Sequence, residues 1–488
     1  MTGLDALETR PAPRAPRAYH FPGFTRTVLP NGLTVLVSHL PRRPLLTAEI
    51  LLEGGAGAEP AAAAGVTSLT AEALTEGTSR RDAIGLIEAS ERLGAGIQAS
   101  AGWETTAVTV DVPRRNLAAA LDLLAEVVLE PTFPEDEVTR LRQERLNDLL
   151  QGRADPRRRA ERAFAASVYA PASPFARPAA GTEETVPGID RATILERYPA
   201  LLEPRRATAI VAGDLADLPV AEMVAERFGA WASAGDPAEP APLDASPARG
   251  GARVVVVDRP GSPQTEVRIG HVGLARRIPD YHAVVVMSAI LGGLFDSRLQ
   301  RLLREERGYT YGVHAAFELR RVPGPFAVRM AVQTDVTVPA IRDALDVLAR
   351  MPEVAPTGAE LDAARDFLIG VFPLRFESAS QVVGAIAGLV GLGLPDDELD
   401  RYRPAIAAVT AEQVLAAASH VRAADARIVL VGDAARIEAG LREFGEVEVV
   451  HDPVLAGQVA GEPDSAGSDE GTVPAADDPA RPADRPEA

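Results

Sequence analysis

Ser68, Ala71 and Glu72 stand in the frame of a metal-binding helix, GVTSLTAEALTEGT at Gly65–Thr78, without supplying its chemistry. A zinc hydrolase of the H-x-x-E-H type would carry His, Glu and His at these three positions. Two ligands at i and i+4 share one helical face and grip one ion, while the Glu beside the second polarises the metal-bound water. Here a hydroxyl and a carboxylate take the ligand places, and a methyl group takes that of the base. No histidine repairs the arrangement: His20, His39, His271, His282, His314, His420 and His451 form no i, i+4 pair, and none lies on this helix. The chain has no cysteine, which removes a disulfide framework, a thiolate zinc site and a thiol nucleophile.

The elements that must hold this frame occur twice. ALDLLA at Ala120–Ala125 recurs as ALDVLA at Ala344–Ala349, and ATAIVAGDL ending at Leu215 recurs as ARIVLVGDA ending at Ala434, each offset by about 220 residues. Between the repeats, hydrophobic periodicity predicts the same order of elements in each half. In the first half these are helices at Gly65–Leu74 and Arg81–Leu93, strands at Ile97–Ala101 and Thr106–Val112, then helices at Arg114–Leu129 and Glu135–Leu150. In the second they are helices near His282–Leu291 and Ser297–Glu306, strands near Tyr311–Phe317 and Ala327–Gln333, then helices near Ala340–Arg350 and Gly358–Val371. Each half opens on strands, TRTVLPNGLTVLVS with Asn31-Gly32 as a tight hairpin turn, and ARVVVVDRP. The pattern predicts an α+β chain of two homologous domains, each with helices packed on one face of a mostly antiparallel sheet.

At 488 residues the chain exceeds one compact core. The expected boundaries are a disordered N-terminus at 1–20, domains at 21–231 and 252–453, an exposed Pro/Ala/Asp/Gly linker at 232–251, and an acidic disordered tail at 454–488. A net charge of -19 argues against nucleic acid or an anionic membrane as partner. All 50 basic residues are arginine, which with the Ala and Pro richness reads as a bacterial, high-GC coding bias. The N-terminus offers no signal-like apolar run, and no later stretch has roughly 18 uninterrupted apolar residues, so a cytoplasmic location is expected.

From Phe21 to Val450 the chain resembles the pitrilysin/insulinase family of zinc peptidases. The resemblance rests on TVLPNGLTVLV, on G-x-x-x-x-x-x-E-x-L-x-x-G-T at Gly65–Thr78, on SPFARPAAGTEETV, and above all on LGGLFDSRLQRLLREERGYTYGV. It implies domains paired to enclose a clam-shell chamber, of which this chain forms half. It also places the third zinc ligand, a Glu in active members, at Asp148. Ser68, Glu72 and Asp148 make a poor zinc set, although two carboxylates suit a hard ion such as magnesium. The other reading is that Glu72 and Asp148 are ordinary solvated or hydrogen-bonded helix residues. No cofactor is expected in this chain.

The same resemblance matches Arg304 and Tyr311, seven positions apart in LREERGYTYGV, to an Arg/Tyr pair that reaches the active site from the half opposite the zinc helix. The implied roles are binding of a substrate carbonyl by Arg304 and donation of the Tyr311 hydroxyl to the developing oxyanion. Against this stand an Arg304 paired with Glu305 or Glu306, a merely packed Tyr311, and Tyr309 as a rival. The resemblance further implies a substrate-binding sheet edge in GAGIQASAG, at Gly96, Ile97, Gln98, Ala99 and Ser100. The resulting expectation is a zinc-free subunit of a heterodimeric peptidase, partnered by a zinc-bearing paralogue with H-x-x-E-H and acting on unfolded peptides. The alternative is an inactive scaffold or peptide-binding member.

Overall fold

The computed structural model of the chain describes residues 17–233 and 242–451. Two six-stranded sheets carry the two halves. The first holds β1 (Thr25–Val28), β2 (Thr34–His39), β3 (Leu45–Glu53), β4 (Gly96–Ala101), β5 (Thr105–Pro113) and β6 (Ala207–Gly213), in the order β1-β2-β6-β3-β5-β4. The second holds β7 (Val254–Asp258), β8 (Gln264–Val272), β9 (Thr310–Phe317), β10 (Pro325–Gln333), β11 (Arg427–Gly432) and β12 (Val447–Val450), in the order β12-β7-β11-β8-β10-β9. Five strands correspond one to one, and both sheets are mostly antiparallel. The repeat breaks at one edge: β1 runs antiparallel to β2, whereas β12 comes from the far end of the chain and runs parallel to β7.

The helices of the first half are α1 (Val66–Ala73), α2 (Ala83–Arg92), α3 (Leu117–Leu129), α4 (Glu135–Ala154), α5 (Pro156–Val168), α6 (Arg191–Leu201) and α7 (Val220–Phe228). In the second half, α8 (Tyr281–Ser288) runs on into a wider π-helical turn, Ala289–Gly293. A second such turn, Arg301–Glu306, replaces most of the helix expected at Ser297–Glu306. Such turns often mark functional sites. Gly292 lies here because a Cβ on it would come within 2.7 Å of the Ala315 backbone in β9. The helices α9 (Thr337–Arg350), α10 (Gly358–Val371) and α11 (Ala379–Leu392) follow. The helical stretch Tyr281–Glu306 is long and apolar enough by composition to span a membrane. Its Val284, Val286, Met287, Ile290 and Leu291 are buried in the second-half core.

Each half's own helices cover one face of its sheet, as the sequence predicts; the opposite face is covered by exchange. Helix α5 leaves the first half and packs on β7, β8 and β11, while α11 leaves the second half and packs on β3 and β6. Strand β6 is therefore buried along its whole length, the signature of a strand covered on both faces. Val382, Val383, Ile386 and Leu389 of α11 are buried there, each contributing roughly 1.5–3 kcal/mol. An Asp155 N-cap followed by Pro156 starts α5, and a Ser378–Gln381 capping box starts α11.

Two local expectations need correction. The hairpin turn centres on Pro30 and Asn31, with Gly32 N–H bonded to Leu29 O, and Gly32 (φ 92°) takes the left-handed position after the turn. Residues 17–20 are not loose: Tyr19 packs on Phe372 and Phe376, and Phe21 N–H donates to Asp400. The linker over 242–251 is exposed as expected, and two bonds tie it down, Ala170 N–H to Ser246 O and Ala248 N–H to Val168 O. Residues 1–16, part of the linker and the acidic tail beyond 451 lie outside the described residues.

Candidate functional site

Helix α1 is held by its start. Gly65 has φ 98°, and a Cβ there would lie 2.7 Å from the Ala180 carbonyl. The buried Glu59 carboxylate accepts from the N–H groups of Gly65 (2.7 Å) and Thr67 (3.0 Å), satisfying the helix's first donors. Burial pushes the Glu59 carboxyl above its ordinary value. From the SPFARPAAGTEETV segment, Thr185 Oγ1 donates to Ala64 O at 2.8 Å. The frame of a metal helix is thus fully built.

A guanidinium takes the place of the ion. Arg145 of α4, whose side chain is only 10% exposed, reaches across to α1. Its Nη1 donates to Ser68 Oγ (3.2 Å) and Ala180 O (3.0 Å), and its Nη2 pairs with the Glu72 carboxylate. Ser68 and Glu72 converge as their spacing predicts, but on a cation of the chain's own. Ala71, at the base position, is fully buried. Asp148 does not join them: it is held by both terminal nitrogens of Arg158, at 3.0 and 2.6 Å, which keeps its carboxyl below the ordinary value. These donors do not fit zinc, since hydroxyl and carboxylate are satisfied by a cation already and imidazole is absent. Among the described residues no three His, Cys, Asp or Glu side chains are placed to hold a metal. Both carboxylates are therefore the ion-paired helix residues that the sequence left as one alternative. Arg145 was missed, and its position one helical turn before Asp148 is the signal that marks it.

The second-half pair is placed differently. Arg304 lies in the Arg301–Glu306 turn, its guanidinium 4.4 Å from the centroid of the exposed Phe295 ring and 3.4 Å from Glu305. The pairing with Glu305 is one the sequence allowed. Tyr311 is 93% exposed on β9, the outermost strand of its sheet, so the packed alternative for it is excluded. Its hydroxyl has no hydrogen-bond partner among the described residues, whereas Tyr309 is partly buried against the core. Thr310 fixes the start of the strand, donating to Ala331 O at 2.7 Å.

Strand β4 is likewise an outermost strand, paired only with β5 and packed beside α1. Ile97 and Ala99 pack inward, while Gly96, Gln98 and Ser100 point out, and nothing lies within 4 Å of a Cβ built on Gly96.

Two family profiles match this chain, one described as insulinase (peptidase family M16) over residues 34–174, the other as the peptidase M16 inactive domain over 188–368. The chain belongs to the M16 (insulinase) peptidase family. The second profile begins inside the first half, so its border does not follow that between the sheets. Relatives of the M16 chain include an uncharacterized zinc protease of Mycobacterium leprae, 28% identical over 73% of this chain and 80% of its own length. A non-peptidase homolog of Helicobacter pylori is 23% identical over 72% and 80%. Among solved structures, the peptidase M16 inactive domain from Pseudomonas fluorescens has a TM-score of 0.77 and 27% identity, covering 84% of this chain and 98% of that one. With base and imidazole ligands gone and Arg145 in the ion's place, this is an inactive M16 member related to zinc proteases.

Proposed function

We propose that this chain is the zinc-free subunit of a heterodimeric M16 peptidase and forms half of its chamber. The partner, a paralogue with H-x-x-E-H, supplies zinc and general base; this chain supplies Arg304 and Tyr311. The observation that carries the reading is the contrast between a metal site closed by Arg145 and a Tyr311 left open to solvent near the half-buried Arg304 in sequence. The Tyr311 hydroxyl, with no internal partner, is available to donate where negative charge develops on the attacked carbonyl oxygen. The Arg304 fork, held by a Glu305 contact and the exposed Phe295 ring, can turn its remaining donors to a substrate carbonyl. The free outer edge of β4 suits an unfolded peptide added as a strand, contacted along Gly96–Ser100.

Co-expression with a zinc-motif paralogue, followed by co-purification and a peptide-cleavage assay, tests this. Neither chain alone should cleave, and the complex should. Arg304→Ala with Tyr311→Phe should lower kcat/KM of the complex by about 10²-fold or more. An unaltered rate in that double variant overturns the role given to this half. A second reading, an inactive scaffold or peptide-binding member, draws on the same Arg145 closure. It gains if the complex forms but does not cleave.

A further inference from the structure

Between α5 and the turn joining β9 to β10 lies a cavity of about 380 Å³, within the size range of ligand sites. Seven arginines line it against three carboxylate side chains, in a protein whose net charge is -19. The carboxylates at hand are already shared. Asp148 is taken by Arg158; Glu183, just outside, serves both Arg153 (2.8 Å) and Arg162 (2.7 Å); and Glu161 serves both Arg329 (3.0 Å) and Arg268 (2.7 Å). The Arg177 guanidinium donates only to the Ser173 carbonyl, at 3.4 Å, and meets no carboxylate among the described residues. Arg320 lies 4.7 Å from the Phe175 ring centroid and pairs with Glu318, and its side chain is only 12% exposed. Its Nη1 is buried without a hydrogen-bond partner.

Arg177, which meets no carboxylate, and the buried Nη1 of Arg320 leave donors unsatisfied beside aromatic walls, a cost that a bound anion removes. The cavity also leads somewhere. Arg329 lines it and, on its other side, the groove of about 540 Å³ that contains Tyr311. We infer that this cavity binds a carboxylate of a peptide passing Tyr311, so that the chain selects acidic peptides. The inference extends the peptide-handling part of the proposed function but needs no catalytic partner.

It is tested on the full chain alone by fluorescence anisotropy with labelled eight-residue peptides. The probes are a Glu/Ala peptide with an amidated C-terminus, its Gln/Ala counterpart, and the Gln/Ala peptide with a free C-terminus. The Glu/Ala peptide should bind about tenfold or more tightly than the amidated Gln/Ala one, a difference that shrinks with added salt. Tighter binding of the free C-terminus with no preference for Glu/Ala over Gln/Ala assigns the site to a main-chain carboxylate and overturns the selection of acidic peptides. Arg177→Met with Arg320→Met should abolish the preference; Arg177→Met alone, which spares the aromatic stacking, should reduce it. Removing two guanidinium groups elsewhere, by Arg342→Met with Arg436→Met, should leave it intact. Equal affinity for all three peptides, or an undiminished preference in a folded Arg177→Met variant, overturns the inference.

Discussion

Around Ser68 and Glu72 the side chains at the ligand positions are committed to Arg145, whereas in the other half Tyr311 has no hydrogen-bond partner among the described residues and Arg304 keeps only a Glu305 pair and the exposed Phe295 ring. Where a zinc helix would carry its second His this helix carries Glu72, and a part-buried carboxylate needs a cation. Arg145 supplies one from within the chain, and so turns a binding site into a structural contact. A group that serves a ligand must stay exchangeable, so it is held by weak contacts and faces solvent. Tyr311 at 93% exposure and Phe295 at 69% fit that description. The two regions of one duplicated architecture have therefore diverged, one toward internal satisfaction and the other toward availability.

The largest effect that could break this comparison is an all-or-none one. Restoring only the motif, by Ser68→His, Ala71→Glu and Glu72→His, should give no stoichiometric zinc, because Arg145 occupies the place and Asp148 faces Arg158. Adding Arg145→Ala and Asp148→Glu should create zinc binding measurable by metal analysis of the purified protein. Zinc in the three-residue variant alone would show that Arg145 is no barrier.

Next in size is Arg145→Met, which strands the Glu72 carboxylate. We expect a loss of about 1–2 kcal/mol in urea unfolding, discounted because Glu72 is part-exposed. Arg304→Ala or Tyr311→Phe, in contrast, should stay within about ±0.5 kcal/mol. A large loss at Tyr311 would mean that its exposure misstates its role.

Acid sharpens the comparison further. Glu360 ties Arg298, at the head of the segment that carries Arg304, through bonds of 2.7 and 3.2 Å. Burial pushes its carboxyl up, but the Arg298 hydrogen bond and the Thr357 N–H outweigh this and hold it at about 2, against an ordinary 4.5. A depressed carboxyl contributes stability above its unfolded value and loses it as pH falls. The Arg304 segment should thus loosen between about pH 4.5 and 2, and Glu360→Gln should flatten that part of the pH–stability curve. The smallest effect is expected on the α1 side: the Glu59 carboxyl is raised by burial, so its protonation on acidification costs the fold no stability.

Much of the fold was legible in advance because it rests on local rules. Periodicity placed Glu135–Leu150 and Gly358–Val371 within a turn of the observed helices, and the alternation of Thr106–Val112 marked β5. Apart from the hairpin turn, a local shift of one residue to Pro30 and Asn31, what failed or went unseen has a common cause. The π-helical turn at Arg301–Glu306, the docked 17–20 segment and the pinned 242–251 stretch depend on partners far along the chain, which no window of residues contains. The exchange of α5 and α11 was hidden for the same reason. Both helices are amphipathic or apolar in the ordinary way, and nothing local says which sheet receives them.

The sequence by itself determined the family frame and the absence of imidazole and base, because those are matters of residue type and spacing. It also determined that Arg304 and Tyr311 exist at a meaningful distance. Only the tertiary structure decided what stands in the metal's place. Whether Glu72 meets an ion, solvent or a guanidinium is set by how α4 lies across α1, and that crossing brings Arg145, not Asp148, to the carboxylate. Charge compensation across a helix pair acts over angstroms in space and over dozens of residues in sequence, and so only the folded chain reveals it.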